Sequence, residues 1–254
     1  MSRITQKGAT GPLALVANGA FQASTDASLD TLVGTRWDLS DGREVLLVQA
    51  GGSNLVAGIV VQDAAIIANH QGLDITAIQT YSANGNVPYK ITATLGGTAV
   101  TANQYAGGFA VINVGTGKGQ TLRIASNTAQ SNTSGAVVLT LEEAPTTALS
   151  AADSEVSLIP AHGKGVVITP TTLTNCVAGV TLYALTASTY GFIVSKGIVS
   201  CLSDAAAPAA SGVAISPSNA TGGAVESGVV AQGVIGNAVQ AGVSTENFAV
   251  FINV

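Results

Sequence analysis

The sequence predicts an all-β protein: short-stranded, antiparallel sandwich- or barrel-like domains with an irregular Gly/Ala-rich N-terminal segment. Three observations lead there. Apolar residues alternate with polar ones at the period of a half-buried strand, as in Tyr89, Ile91, Ala93 and Leu95 against Lys90, Thr92 and Thr94. Turn chemistry breaks the chain at short intervals, at Asp41-Gly42, at Gly51-Gly52-Ser53, at Gly96-Gly97 and across residues 115–119. The apolar runs 156–159, 166–169, 180–184 and 192–194, separated by Pro160, Pro170, Gly179 and Gly191, have the spacing of a sandwich or barrel.

Taken in order, residues 1–30 are rich in Gly, Ala, Ser and Thr and contain one short apolar run, 13–16, which suits an extended arm or a loosely packed edge. Residues 35–48 read as a hairpin turning at Asp41-Gly42, with Trp37 in its first strand. Residues 55–61 are strand-like again. Residues 64–78 suit either one short helix, which alanine favours, or two strands around Gly72, which Ile75, Thr76 and Ile78 favour, and the second half reads as strand. A four-strand meander fills residues 86–145, and the rest of the chain is expected to be arranged around it. Its strands are the alternating run 89–95, the β-branched run with Phe109, Val111, Ile112 and Val114, the run begun by Leu122 and Ile124, and residues 136–141, stopped by Pro145. Residues 203–223, full of Ala, Pro, Ser and Gly, read as a long surface loop. Residues 224–240 are apolar but broken by glycine, and 248–254 form a terminal strand tied into a sheet. The expected organisation is an N-terminal segment 1–60, comprising an arm and a hairpin, and a main β domain 61–254 with a subdivision near 165–180.

Composition narrows the function classes. Hydrophobic residues make up 47% of the 254, enough for a sizeable core, whereas charged residues make up only 9%. The charged share is roughly a third of the usual one. So few charges leave much surface poorly hydrated, and burying it against other chains is the natural remedy. Nine Lys and Arg against fourteen acids, a net charge of −5, supply no cationic stripe for nucleic acid. No run approaches a membrane span and the start of the chain lacks the apolar block of a signal peptide, so synthesis in a cytoplasm is expected. Cys176 and Cys201, each in an apolar segment, read as buried thiols.

The chain carries few residues in patterns that support chemistry. His70 and His162 have no Cys or His at metal-ligand spacing and read as satisfied or surface histidines. Residues 115–119, Gly-Thr-Gly-Lys-Gly, mimic a phosphate loop but hold Ile112 and Gly119 where that motif needs glycine and a hydroxyl, so a hairpin loop is expected. Glu142 and Glu143 point to opposite faces of a strand and form no acid/base pair. Asp63, Asp74, Asp153 and Glu155 lack the spacing of a calcium loop, and no Gly-x-Ser-x-Gly elbow occurs. A non-enzymatic protein without catalytic, cofactor or metal residues is expected.

A resemblance sharpens this. Residues 87–96, 101–108 and 117–124, then 137–145, 154–158, Ala178-Gly179-Val180 and 189–197, resemble the β-rich structural proteins encoded among the head genes of tailed bacteriophages. The likeness spans residues 50–254, and Phe192 stands where those proteins tend to carry tryptophan. It implies a capsid decoration, or cement, protein on the outside of the virion, with the major capsid protein and copies of itself as partners, commonly as a homotrimer. Trp37, Phe21, Tyr190 and Phe192 are the candidate interface residues; Trp37 reads either as a core anchor or as an interface anchor, and the segment 1–61, largely outside the likeness, either lies along neighbouring subunits with Trp37 in a pocket or packs back on its own β domain. The alternative is a carbohydrate-binding tail or surface-adhesion module, which would expose Tyr81, Tyr89, Tyr105, Tyr183, Tyr190 or Trp37 as stacking platforms.

Overall fold

The structure is a computed structural model that describes residues 4–5, 16–17, 20–80, 89–131, 134–228 and 232–254. The protein is all-β, and among the described residues helical structure is limited to 3-10 turns such as Ala27–Leu32 and Ala68–His70. Its strands in chain order begin with β1 (Ile4–Thr5), β2 (Val16–Ala17), β3 (Ala20–Phe21), β4 (Arg36–Leu39), β5 (Glu44–Gln49) and β6 (Val60–Gln62). Then come β7 (Leu73–Gln79), β8 (Lys90–Thr94), β9 (Phe109–Val114), β10 (Thr121–Asn127), β11 (Ala136–Leu141) and β12 (Glu155–Ile159). The last seven are β13 (Val167–Ile168), β14 (Val177–Thr181), β15 (Tyr190–Leu202), β16 (Ala214–Pro217), β17 (Val225–Ser227), β18 (Gly236–Ala238) and β19 (Asn247–Asn253).

Two compact units share the chain, one formed by Met1–Ala65 with His162–Val254 and the other by Ile66–Ala161. The second is an insertion between β6 and β13. The sequence places boundaries at 60 and near 165–180, whereas the units part at 65 and 161, because β4, β5 and β6 belong to the same sheet as β13–β19.

The discontinuous unit holds an antiparallel sheet in the order β1-β4-β5-β15-β19-β18-β16-β17, with β14 against β15 and β6, and β13 against β6. Its spine is β15, 13 residues long. The first half of β15 pairs with β5, from Tyr190↔Gln49 to Lys196↔Glu44, and with β14 at Val180↔Val194. The second half pairs with β19, from Lys196↔Asn253 to Leu202↔Asn247. Where the partners change, the register shifts and Gly197 adopts φ +112°, a conformation a side chain would strain.

The run Val45-Leu46-Leu47-Val48 in β5 does not alternate because both of its faces are covered. Val45 and Leu47 join Trp37, Phe192, Val194 and Ile252 in one cluster, while Leu46 and Val48 join Leu55, Val61, Val166 and Ile193 in another. The expected hairpin forms at Asp41-Gly42, with Gly42 at φ +85° and its N–H on the Leu39 carbonyl. Residues 248–254 are tied in as expected, β19 lying between β15 and β18.

Residues 203–223 are not the surface loop that the sequence suggests. They contain β16, whose Ile215 is fully buried, and Ser218 donates its hydroxyl to the buried Asp204 carboxylate. Ala, Ser and Pro read as a loop locally, yet pairing of β16 with β17 and β18 overrides that preference.

The inserted unit is a closed antiparallel barrel, β10-β11-β8-β7-β12-β9 and back to β10. The strands expected within 86–145 all form, and 64–78 resolves into the Ala68–His70 turn followed by β7. Alternation places Ile91, Ala93, Ile112, Ile124, Leu139 and Leu158 in one shared core. The segment 115–119 joins β9 to β10, and its three glycines take φ of +75°, +82° and +89°. Contrary to expectation, this meander does not organise the rest of the chain. With β7 and β12 it closes on its own core.

Candidate interaction surface

The four aromatics singled out by the sequence do come together, inside the discontinuous unit rather than on its surface. Trp37 is 1% exposed because β4 alternates Arg36 and Asp38 outward with Trp37 and Leu39 inward. Its ring meets Phe192 edge-on at 5.2 Å, and Phe21 meets Phe192 edge-on at 5.8 Å and stacks on Tyr183 at 6.3 Å. Tyr190 is buried, accepts from Gln49 Nε2 at 3.2 Å and donates to Asp30 at 3.4 Å. Of the expected interface residues, Trp37, Tyr190 and Phe192 are thus buried in the core of their own unit and Phe21 is partly buried against it. Trp37 Nε1 is buried there without an acceptor, which costs roughly 1–3 kcal/mol.

The chain around Phe21 packs back in the same way. Ser24 and Tyr190 exchange backbone hydrogen bonds of 2.9 and 2.8 Å, and Leu29 is buried. Of the expected arm, residues 1–3, 6–15 and 18–19 lie outside the described residues.

The same burial reaches most of the residues named as sugar-stacking platforms. Tyr89, Tyr105, Tyr190 and Trp37 are buried, and Tyr183 is partly buried, accepting from the Phe192 N–H at 2.9 Å and donating to the Gln22 carbonyl. Tyr81 lies outside the described residues.

No catalytic constellation assembles among the described residues. His70 is buried and fully engaged, with Nδ1 2.6 Å from the Tyr105 hydroxyl and Nε2 2.9 Å from the Thr98 carbonyl. His162 pairs through Nδ1 with Asp63 at 2.8 Å, but its Nε2 is buried with no hydroxyl or thiol in hydrogen-bond reach, so the pair has no nucleophile to activate. Glu142 and Glu143 are exposed, the former 3.1 Å from Arg123. Among the described residues no group of three His, Cys, Asp or Glu is placed to hold a metal ion. Cys201 is buried as expected, but Cys176 is exposed just before β14.

What the discontinuous unit does present is a sheet face with exposed apolar residues, at whose edge Lys196 is exposed as well. Beyond Gly197 the burial of β15 alternates, so Ile198 and Ser200 face outward while Val199 and Cys201 face the core. In the ladder Ile198 stands opposite Phe251, and Phe251 opposite Asn237; one row along, Ser200 stands opposite Ala249, whose carbonyl accepts from the Val239 N–H. Ile198, Phe251 and Val239 are 54%, 41% and 42% exposed. Two open clefts of about 500 and 330 Å³ border the face, and both include Arg43 and Ile198 in their walls.

Two ion pairs stand at the margin. Arg43 holds Asp41 through two hydrogen bonds, 2.9 and 2.6 Å, which keep that carboxyl below its ordinary range. Glu44 is likewise held low, chiefly by Arg36 at 2.7 Å, with help from Ser195 and the Lys196 charge. Sequence alone does not single out this face, because Ile198 and Val199 are equally apolar and only pairing decides which turns outward. Comparison with protein-family models, curated proteins and solved structures found no match to this chain.

Proposed function

We propose that the protein is a non-enzymatic virion structural subunit that decorates and stabilises the outer surface of a phage capsid, binding between capsomers as a homotrimer. The observation that carries this reading is a chain with 9% charged residues whose described outward sheet face exposes Ile198, Phe251 and Val239. Such a surface suits permanent burial in an assembly and poorly suits a lone soluble chain. Rigid, short-stranded units supply stiffness for this role, and the resemblance to phage head proteins over residues 50–254 points the same way.

The reading is tested on particles. Phage heads purified through a density gradient should carry the protein in tens to hundreds of copies, and purified protein should add back to heads stripped of it. Heads that lack the protein, with the protein found instead at the tail or free in the lysate, would sink the reading.

A further inference from the structure

We propose that the inserted barrel is built to open at one seam, by parting β7 from β12, while its other ladders stay closed. Only two ladder pairs join these strands, Asp74↔Glu155 and Leu73↔Val156, against three to five along every other seam of the barrel. Past Leu73 the bonding passes to side chains: the Gly72 N–H donates to the Ser157 hydroxyl at 3.0 Å and Gln71 Nε2 to the Leu158 carbonyl at 2.9 Å. Both strands also lose regularity beside the pair. The register of β7 against β8 shifts between Ile75 and Ala77, and that of β12 against β9 shifts between Glu155 and Val156.

Charge weakens the same place. Asp74 and Glu155 stand directly opposite one another, and the Ile75 N–H on the Ser154 carbonyl at 3.1 Å makes theirs a non-hydrogen-bonded pair, the kind whose facing side chains come closest. Like charges in that position oppose pairing. Among the described residues neither carboxylate has a cation in ion-pair reach, which leaves their repulsion to be screened by water and salt alone. Burial of Leu73, Ile75, Val156 and Leu158 in the barrel core holds the seam shut against it, so the closed form stays the main one.

The topology makes the opening local. A closed barrel that loses one seam becomes an open sheet, here in the order β7-β8-β11-β10-β9-β12, with each remaining ladder intact. Its new edges are the strands by which the chain enters and leaves the unit. Such an opening lies below unfolding of the whole unit in free energy.

The test is amide hydrogen exchange, read residue by residue on the full-length protein. Ile75, whose N–H crosses the seam, should have a protection factor about tenfold or more below that of Leu141, whose N–H reaches the Tyr89 carbonyl beside the β8–β11 ladder. Raising the salt from about 0.01 M to 1 M shortens the screening length from about 30 Å to 3 Å and should narrow that gap about threefold. Asp74→Asn and Glu155→Gln each remove one charge while keeping the side-chain shape, and at low salt each should narrow the gap by a similar factor. The salt series uses the wild type, so it decides the matter even where a variant fails to fold. Equal protection of Ile75 and Leu141, or a gap that salt leaves unchanged, would overturn the proposal.

Discussion

Tyr105 donates its hydroxyl proton to His70 Nδ1 at 2.6 Å within the inserted unit. The direction follows from the other ring nitrogen: Nε2 lies 2.9 Å from the Thr98 carbonyl, which can only accept, so Nε2 carries the hydrogen and Nδ1 is the acceptor. Tyr105→Phe would leave a buried nitrogen unsatisfied. We expect a loss of about 1–3 kcal/mol in denaturant unfolding. His70→Leu combined with Tyr105→Phe should recover part of it, because both polar groups then leave together, and an additive double variant would contradict the pairing.

Trp37→Ala should destabilise the protein by about 3–5 kcal/mol, since the ring is enclosed by its own unit and packs on Phe192. The measurement is the melting temperature of the free protein. An unchanged melting temperature with weakened binding to heads would place the ring in an intermolecular pocket instead.

Alkaline conditions should weaken the fold. Burial pushes the Cys201 thiol from 9.0 up to about 12 and the Tyr183 hydroxyl from 10.0 up to about 12. The unfolded chain therefore releases these protons from about pH 9 upward while the folded chain retains them, so stability is complete below pH 9 and falls between pH 9 and 12. Melting temperatures at pH 8 and pH 11 should show the drop, and Cys201→Ala with Tyr183→Phe should shrink it. A drop of undiminished size in that double variant would rule these two groups out as its source.

Two glycines separate conformation from space. Gly42 sits at φ +85° with nothing within 4 Å of an added Cβ, so Gly42→Ala should cost only the backbone strain, about 1 kcal/mol. Gly115 has φ +75°, and its Cβ would fall 1.9 Å from the Asp153 carbonyl oxygen, so Gly115→Ala should cost at least twice as much. Equal losses in urea unfolding would show that the β9–β10 loop shifts freely away from Asp153.

Local chemistry was legible in the sequence and non-local pairing was not. The Asp41-Gly42 hairpin and the strands of the barrel declare themselves through turn residues and alternation, both of which act over a few positions. Even the burial of Trp37 is written locally, in the alternation of Arg36, Trp37, Asp38 and Leu39. The full length of β15 is hidden because Gly197 reads as a break, though it marks a change of partners inside one strand. The insertion is hidden because it depends on Val61 and Gln62 finding Ile168 and Val167 about a hundred positions away, a pairing no window of sequence contains. The apolar face shares that cause, since neighbouring apolar residues compete for the core and only the ladder chooses.

That insertion carries a practical consequence. Each unit, taken by itself, brings its two junction strands side by side: β6 pairs with β13 in the host, and β7 pairs with β12 in the barrel. Asp63 and His162 clasp the host strands just beside the cut, at 2.8 Å. Closely spaced ends are what a guest domain needs in order to be spliced into a loop without straining its host. The turn between β6 and β13 is thus a ready graft point, where the barrel could be exchanged for another cargo with adjacent termini and displayed on the same scaffold.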